Sequence, residues 1–272
     1  MQTKWIYYNH ALVPDVAPHE KIEIPKFDRK FWNNSGKYPL LAQWITDFDC
    51  EEETSFWYII KSDSYDITQL SKSARKHIRQ ALKKCYVREC QDNEAEDLYL
   101  CYKLAYERYE NADNFRSIES IKKEFLNRKE NNMFYYGAYE LETDQLIGFF
   151  ACTQYKNYLE INMSKFNPQY MSLRPSDALH DYVLGLWLNK PEIKYVSSGS
   201  RCINHETNVQ EYKINTFGFR KAYCRLHIKY RPSVYIVVKI LYYFRHILRQ
   251  VDGNKFIHKI NTVLRMEELT RI

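Results

Sequence analysis

Glycine and proline are scarce in this chain, 7 and 8 among 272 residues. That scarcity excludes collagen-like repeats, glycine-rich linkers and proline-rich low complexity. No self-similar period of solenoid length runs through the sequence. Long hydrophobic runs are missing too: no segment approaches the ~20 apolar residues of a membrane-spanning helix. The opening MQTKWIYYNHALVPD has no apolar stretch of signal-peptide length. Seven cysteines (Cys50, Cys85, Cys90, Cys101, Cys152, Cys202 and Cys224) include no CxxC pair. Their odd number and scatter fit neither a metal-ligand pattern nor a disulfide framework. Most of them read as small buried apolar residues of a reducing compartment, so a cytoplasmic protein without a bound metal is expected.

What is present points to a folded domain. Hydrophobic residues make up 45% and charged residues 27%, enough to bury a core. Tyrosine contributes 24 residues, many in strand-like runs such as Phe134-Tyr135-Tyr136, where aromatics suit a pleated surface. The net charge of +6 is unevenly spread. Residues 221–272 hold 11 Lys/Arg against 3 Asp/Glu, whereas the first 220 hold 29 against 31. The positive excess therefore lies wholly in the C-terminal segment.

Residues 1–36 form an arm without a clear period, closed by the turn signal NNSG at 33–36. Strand-like runs follow at Leu40–Phe48 and Phe56–Ile60. Apolar residues at Ile67, Leu70, Ala74, Ile78, Ala81 and Leu82 predict a helix over 67–85 with a basic outer face. A strand over Tyr86–Cys90 and helices over Leu98–Tyr109 and Ile118–Arg128 come next. Met133–Glu140 and Gln145–Tyr155 alternate as a hairpin, and Tyr158–Phe166 is a further strand. Pro175 suits a first helical position, with apolar spacing continuing to about Asn189. The segment Tyr195–Tyr230 reads as strand, polar turn, a helix ending at Gly218, and strand. The order is β-β-α-β-α-α-β-β-β-α-β-α-β, an α+β (loosely α/β) class.

Three places in this order carry a family resemblance. They are the hairpin GAYELETDQLIGFFA, the strand Tyr158–Phe166 followed by a helix, and NVQEYKINTFGF with its Gly-Phe ending. Together they resemble the GNAT superfamily of N-acyltransferases, and within it FemAB-like aminoacyl/acyltransferase domains, over about residues 37–230. The resemblance implies a mixed, mostly antiparallel sheet flanked by helices, whose central parallel strands splay apart to admit an acyl donor. It implies acetyl-CoA or another acyl-CoA as co-substrate and an amine as acceptor. Two departures stand out. The family's glycine-rich loop, where backbone amides and a helix N-terminus take the CoA pyrophosphate, is replaced by NPQYMSLRPSDAL. The tyrosine that the family often places four residues before the Gly-Phe glycine, as acid for the leaving thiolate, is here Ile214. Tyr212 lies about 200° around the helix from that place.

Candidate residues follow. Glu160 occupies the strand in which family members hold a carboxylate that accepts the amine proton; a solvated strand carboxylate is the alternative. His205, after the turn SSGSRCIN, suits proton transfer near neutral pH, or is a neighbour of a helix cap at Asn204 or Thr207. Ser172, Arg174 and Ser176 can cradle a phosphate at a helix start, with Asn208 assigned to the same donor. Ser198, Ser200, Arg201 and Tyr212 are assigned to the substrate. The run SVYIVVKILYYFRHIL at 233–248 fits a basic amphipathic helix, lying on the inner face of a membrane or packed on its own domain.

The sequence thus predicts three segments: an arm (1–36), an acyltransferase domain (37–230) and a basic helical tail (231–272). The expected reaction moves an acetyl or aminoacyl group to an amine, for instance on a cell-envelope or polysaccharide precursor. Aminoacyl-tRNA is an alternative donor; nucleic acid is otherwise not an expected partner. A non-catalytic binding protein on the same fold, or a membrane-associated scaffold, are the other readings.

Overall fold

Apolar runs between polar turns build the strands, and the computed structural model places them as follows. It describes residues 3–107, 115–203, 208–251, 253 and 255–271. The elements run β1 (Trp5–Tyr8), β2 (Ala11–Pro14), α1 (Arg29–Asn33), β3 (Leu41–Cys50), β4 (Phe56–Lys61), α2 (Lys72–Leu82) and β5 (Cys85–Glu89). Then come α3 (Ala95–Tyr106), α4 (Ile118–Leu126), β6 (Met133–Glu140), β7 (Leu146–Gln154), β8 (Tyr158–Phe166), α5 (Pro175–Trp187) and β9 (Tyr195–Ser200). The chain ends with α6 (Asn208–Phe217), β10 (Arg220–Tyr230), α7 (Pro232–Tyr243), α8 (Arg245–Gln250) and α9 (Lys255–Leu269). From β3 to β10 the order is the one expected from sequence. The class is mixed α/β, with mostly antiparallel strand pairing.

The chain divides into two compact units, and it passes from the first to the second within β4. The first unit comprises residues 1–58, 200–207 and 221–272. Its strands run in the order β1-β2-β3-β10, with β2 and β3 parallel and the other two pairs antiparallel. Residues 1–36 contribute β1, β2 and α1 to it. Trp5, Phe27, Phe31, Trp32 and Trp44 form one aromatic cluster there, with Phe27 stacked on Trp44 at 5.6 Å. On another side, Val238 of α7 and Leu264 of α9 are buried with Leu41 and Tyr230. The helical run at 233–248 divides at Phe244 into α7 and α8.

The second unit comprises residues 59–199 and 208–220. Its strands run β4-β9-β8-β7-β6-β5. α5 packs on β5 to β8, and α3 packs on β7, β8 and α4. The alternation of β7 serves both sides: Phe149 joins the core with Leu98 and Phe125, while Phe150 meets α5 at His180. Trp187 is fully buried on α5, and its indole N–H donates to the Tyr136 hydroxyl at 3.0 Å. Gly148 is fixed by close packing, since a Cβ there would lie 2.6 Å from the Phe166 ring.

One boundary differs from expectation. Ile67–Gln69 form a 3₁₀ turn capped by Asp66, and α2 starts only after Ser71, whose hydroxyl accepts from the Ala74 amide at 3.1 Å. Two successive side-chain caps override the apolar period across 67–70.

Helix α6 ends where Gly218 adopts φ +71°, with its amide donating to the Ile214 carbonyl at 3.2 Å. A Cβ at Gly218 would lie 3.3 Å from the Lys61 amine. Gly218→Ala is therefore expected to destabilise the protein by about 1–2 kcal/mol. Chemical denaturation checks this; an unchanged midpoint would remove the glycine's conformational role.

Candidate functional site

The functional geometry of the second unit begins where β8 meets β9. They pair in parallel, in the register Tyr158↔Tyr195, Leu159↔Val196 and Glu160↔Ser197. The ladder ends there, although β8 continues for six residues to Phe166. Two residues beyond Glu160, the antiparallel β7–β8 pairing shifts register: Cys152 faces Ile161, Ala151 faces Met163, and Asn162 is the extra residue. Such a bulge bends a strand and increases its twist. The Asn162 amide oxygen accepts from the Thr153 hydroxyl at 2.7 Å, which fixes the bulged side chain. The described parallel register of β8 with β9 thus covers only the three pairs that end at Glu160.

Glu160 sits at the last registered pair. Burial raises its carboxyl pKa above the ordinary value. Loss of hydration disfavours the carboxylate and makes it a better proton acceptor.

On β9, Ser198 follows Ser197, so alternation turns it to the face opposite Ser197 and the registered Glu160. There the Ser198 hydroxyl accepts from the Lys213 amine. Lys213, on α6, is only 6% exposed. Burial pushes its pKa down to about 8.

His180 on α5 lies fully within a ring of aromatics. Phe217 stacks on it at 4.6 Å, Phe150 meets it edge-on at 4.8 Å, and Tyr212 approaches at 6.0 Å. Its Nδ1 lies 2.8 Å from the Ser176 carbonyl oxygen, which can only accept, so the proton resides on Nδ1. Nε2 is buried without a hydrogen-bond partner. Burial, then the nearby Lys213 charge, lower the His180 pKa to about 3, which keeps the ring neutral.

The segment assigned to the donor forms the turn before α5. Ser172 is exposed in the 3₁₀ turn Pro168–Leu173, and Arg174 takes the left-handed conformation at φ 59°, ψ 47°. Pro175 opens α5 as expected. The first turn of α5 also holds a buried carboxylate, Asp177. It accepts from the Tyr212 hydroxyl at 2.6 Å and lies 3.5 Å from the Arg174 guanidinium. The Tyr212 hydroxyl is also 3.4 Å from the Ser176 hydroxyl. Burial, then Asp177, raise the Tyr212 pKa well above its ordinary value. Tyr212 therefore ties α6 to the start of α5. Asn208 is exposed at the start of α6.

The structure thus brings Glu160, Ser198, Ser176 and Tyr212 into one unit. Ser200 and Arg201 belong to the other. There the Arg201 amide donates to the Trp57 carbonyl at 2.8 Å, its side chain donates to the Ser55 carbonyl, and its guanidinium lies 4.4 Å over the Trp57 ring. His205 lies outside the described residues, as do Asn204 and Thr207. Lys213, His180 and Asp177 were not singled out from sequence. For Lys213 a signal existed: it stands four residues before Phe217, on the inward stripe of its helix, where a lysine is out of place.

No family model matches the chain, and no curated protein matches it. Solved structures do. The C-terminal domain (DUF2156) of a protein named as a lysylphosphatidylglycerol synthetase, from Agrobacterium fabrum, is 8% identical with a TM-score of 0.51. The match covers 88% of this chain and 86% of that one. FemX is 9% identical with a TM-score of 0.49, over 62% of this chain and 59% of its own. The PaiA N-acetyltransferase of Thermoplasma acidophilum, in complex with coenzyme A, is 17% identical with a TM-score of 0.30, over 37% and 71%. At these identities the likeness is one of fold. Of these three, the first shares the fold over most of the chain.

Lys213 makes a pH-dependent contribution to stability. Its folded pKa of about 8 lies below the ~10.4 of a free lysine. Between those values the unfolded chain holds a proton that the folded chain has released, so stability rises with pH across that window. Relative to Lys213→Met, the wild type should gain about 2–3 kcal/mol from pH ~8 to ~10.4 and nothing below it. Denaturant midpoints across pH measure this; a constant difference would contradict the buried amine.

Proposed function

We propose that the second unit is an acyltransferase that moves an acyl group, acetyl or aminoacyl, from a thioester or similarly activated donor to an amine. The observation that carries this reading is the β8–β9 pair, whose ladder stops at Glu160↔Ser197 beside the Asn162 bulge. An extended thioester arm would lie between strands that part in this way, against the backbone of β8 beyond Glu160. Backbone N–H groups directed at the acyl oxygen would stabilise the oxyanion of the tetrahedral intermediate.

The chemistry follows from the two faces. The acceptor amine attacks the acyl carbon, forming the C–N bond, and its proton passes to Glu160, whose raised pKa suits a base. The C–S bond breaks, and the thiolate takes a proton from the Lys213 ammonium on the opposite face. A free thiol has a pKa of about 8.5, so an amine held near 8 is well matched as donor. Lys213 thus fills the role left open at Ile214. Acyl-CoA is the donor proposed first, which suits a cytoplasmic protein, with its head near Ser172, Arg174 and Ser176 and Asn208 beside them. An amine on a cell-envelope or polysaccharide precursor is the proposed acceptor, with Ser198 on its path.

One observation favours a second reading, a non-catalytic binding module. Asp177 already places a buried carboxylate in the first turn of α5, where a donor phosphate would otherwise sit.

Isothermal titration with acetyl-CoA separates the readings. Saturable binding is expected, and Glu160→Gln should then lower transfer by roughly 10²–10⁴-fold while leaving donor affinity intact. Lys213→Met should remove the loss of activity above about pH 8. Absence of binding at millimolar acetyl-CoA directs the titration to aminoacyl-tRNA. Failure with both donors would overturn the transferase reading and leave the binding module.

A further inference from the structure

Within the first unit, α7 has two contrasting faces. Its inward stripe packs Val234, Val238, Leu241 and Tyr242 into the core with Leu264 of α9. Its outward face is also apolar. Ile236, Val237, Ile240 and Tyr243 on α7, with Phe244 and Ile247 beyond, are between 52% and 83% exposed. Positions 236, 240 and 243 recur at helical spacing and form a ridge along α7, and Ile247 is exposed on α8 beyond the break at Phe244. A soluble monomer seldom exposes an apolar patch of this kind without a partner.

The ridge borders a cationic cleft of about 340 Å³, lined by Lys239, Tyr242, Tyr243, Arg245 and Arg271. Tyr242 lies between two guanidiniums, Arg245 at 4.3 Å and Arg271 at 3.9 Å from its ring. Two carboxylates partly compensate these cations: Glu268 pairs with Arg245 at 3.0 Å and with Arg249, and Glu267 pairs with Arg271 at 2.8 Å, so Lys239 and three arginines against two glutamates leave two positive charges in excess. No carboxylate lines the cleft among the described residues.

We propose that this face docks on an anionic lipid bilayer. The ridge enters the boundary between headgroups and acyl chains, and the cleft of Lys239, Arg245 and Arg271 takes a headgroup phosphate. Apolar burial and attraction to anionic lipid together give such a face its affinity. Charge decides against a second copy as occupant. A two-fold interface sets a patch against itself and would bring two cationic clefts together. The inference stands apart from the acyl-transfer reading, because lipid binding is its readout.

Flotation of the full chain with vesicles tests it, using phosphatidylcholine alone and phosphatidylcholine mixed with phosphatidylglycerol. The chain is expected to float with the mixed vesicles, weakly with the neutral ones, and less as salt is raised. Ile240→Asp with Ile247→Asp should cut the bound fraction at least about tenfold. Both side chains are exposed, so an unchanged thermal melt is expected to accompany the loss. Lys239→Gln should reduce the preference for anionic vesicles while sparing residual binding. Three results would each overturn the proposal. They are no flotation with anionic vesicles, unchanged flotation of the double aspartate variant, or a dimer in light scattering that the same variant dissociates. Binding of soluble glycerol phosphate without vesicle binding would likewise replace a membrane face by a small-anion site.

Discussion

Backbone groups that leave a β-ladder must find other partners or bear a penalty of roughly 1–3 kcal/mol each when buried. In the second unit the strand that leaves a ladder early is β8, which past Ile161 is exposed or half-buried, so that water can meet its released groups. Its parallel pairing with β9 covers three residues, and the bulge at Asn162 turns the strand where that pairing stops. Side chains secure the neighbouring helix instead. Tyr212 donates to Asp177, Lys213 donates to Ser198, and Phe217 stacks on His180, tying α6 to α5 and β9. Any one tie is modest; together they fix α6 beside the place where the strands part.

The same burial sets the chemistry. Exclusion of water disfavours charge at every ionisable group, yet the direction of the effect depends on the group. It raises Glu160, lowers Lys213 and suppresses protonation of His180. A carboxylate that holds protons more readily and an amine that gives them up more readily therefore arise from one cause, on opposite faces of the strands. Arg201 illustrates the opposite case. Its guanidinium is committed to a backbone carbonyl and an indole ring in the first unit, a structural use that its sequence neighbourhood of small polar residues did not signal.

Much of the fold was legible because local signals agreed. Met133–Glu140 and Tyr158–Phe166 coincide with their sequence limits, since runs rich in aromatic and other apolar residues are bounded there by polar turns. Pro175 and Gly218 marked helix ends through backbone chemistry that no other residue supplies as well. The arm was harder to read. β1 and β2 are four residues each, and their aromatics find partners such as Trp44 far along the chain, which no local window contains. For the site, Glu160 could be found from its strand, but the meaning of Lys213 depends on tertiary burial. A lysine on a polar face and one on an apolar stripe differ only through what surrounds them.

Neither unit is contiguous in sequence. The first is begun by residues 1–58 and finished by 221–272, with β3 paired to β10 across some 180 intervening positions. A chain emerging N-terminus first exposes the aromatic side chains of β1 to β3 before β10 exists to cover that edge. Loop closure over such a span adds its entropic cost early and returns contact energy late. The second unit, most of which lies in one stretch from 59 to 199, has its strands β6 to β8 joined by short local connections. Synthesis order thus favours the second unit as the nucleus on the ribosome, and makes residues 221–272 the step that completes the first unit.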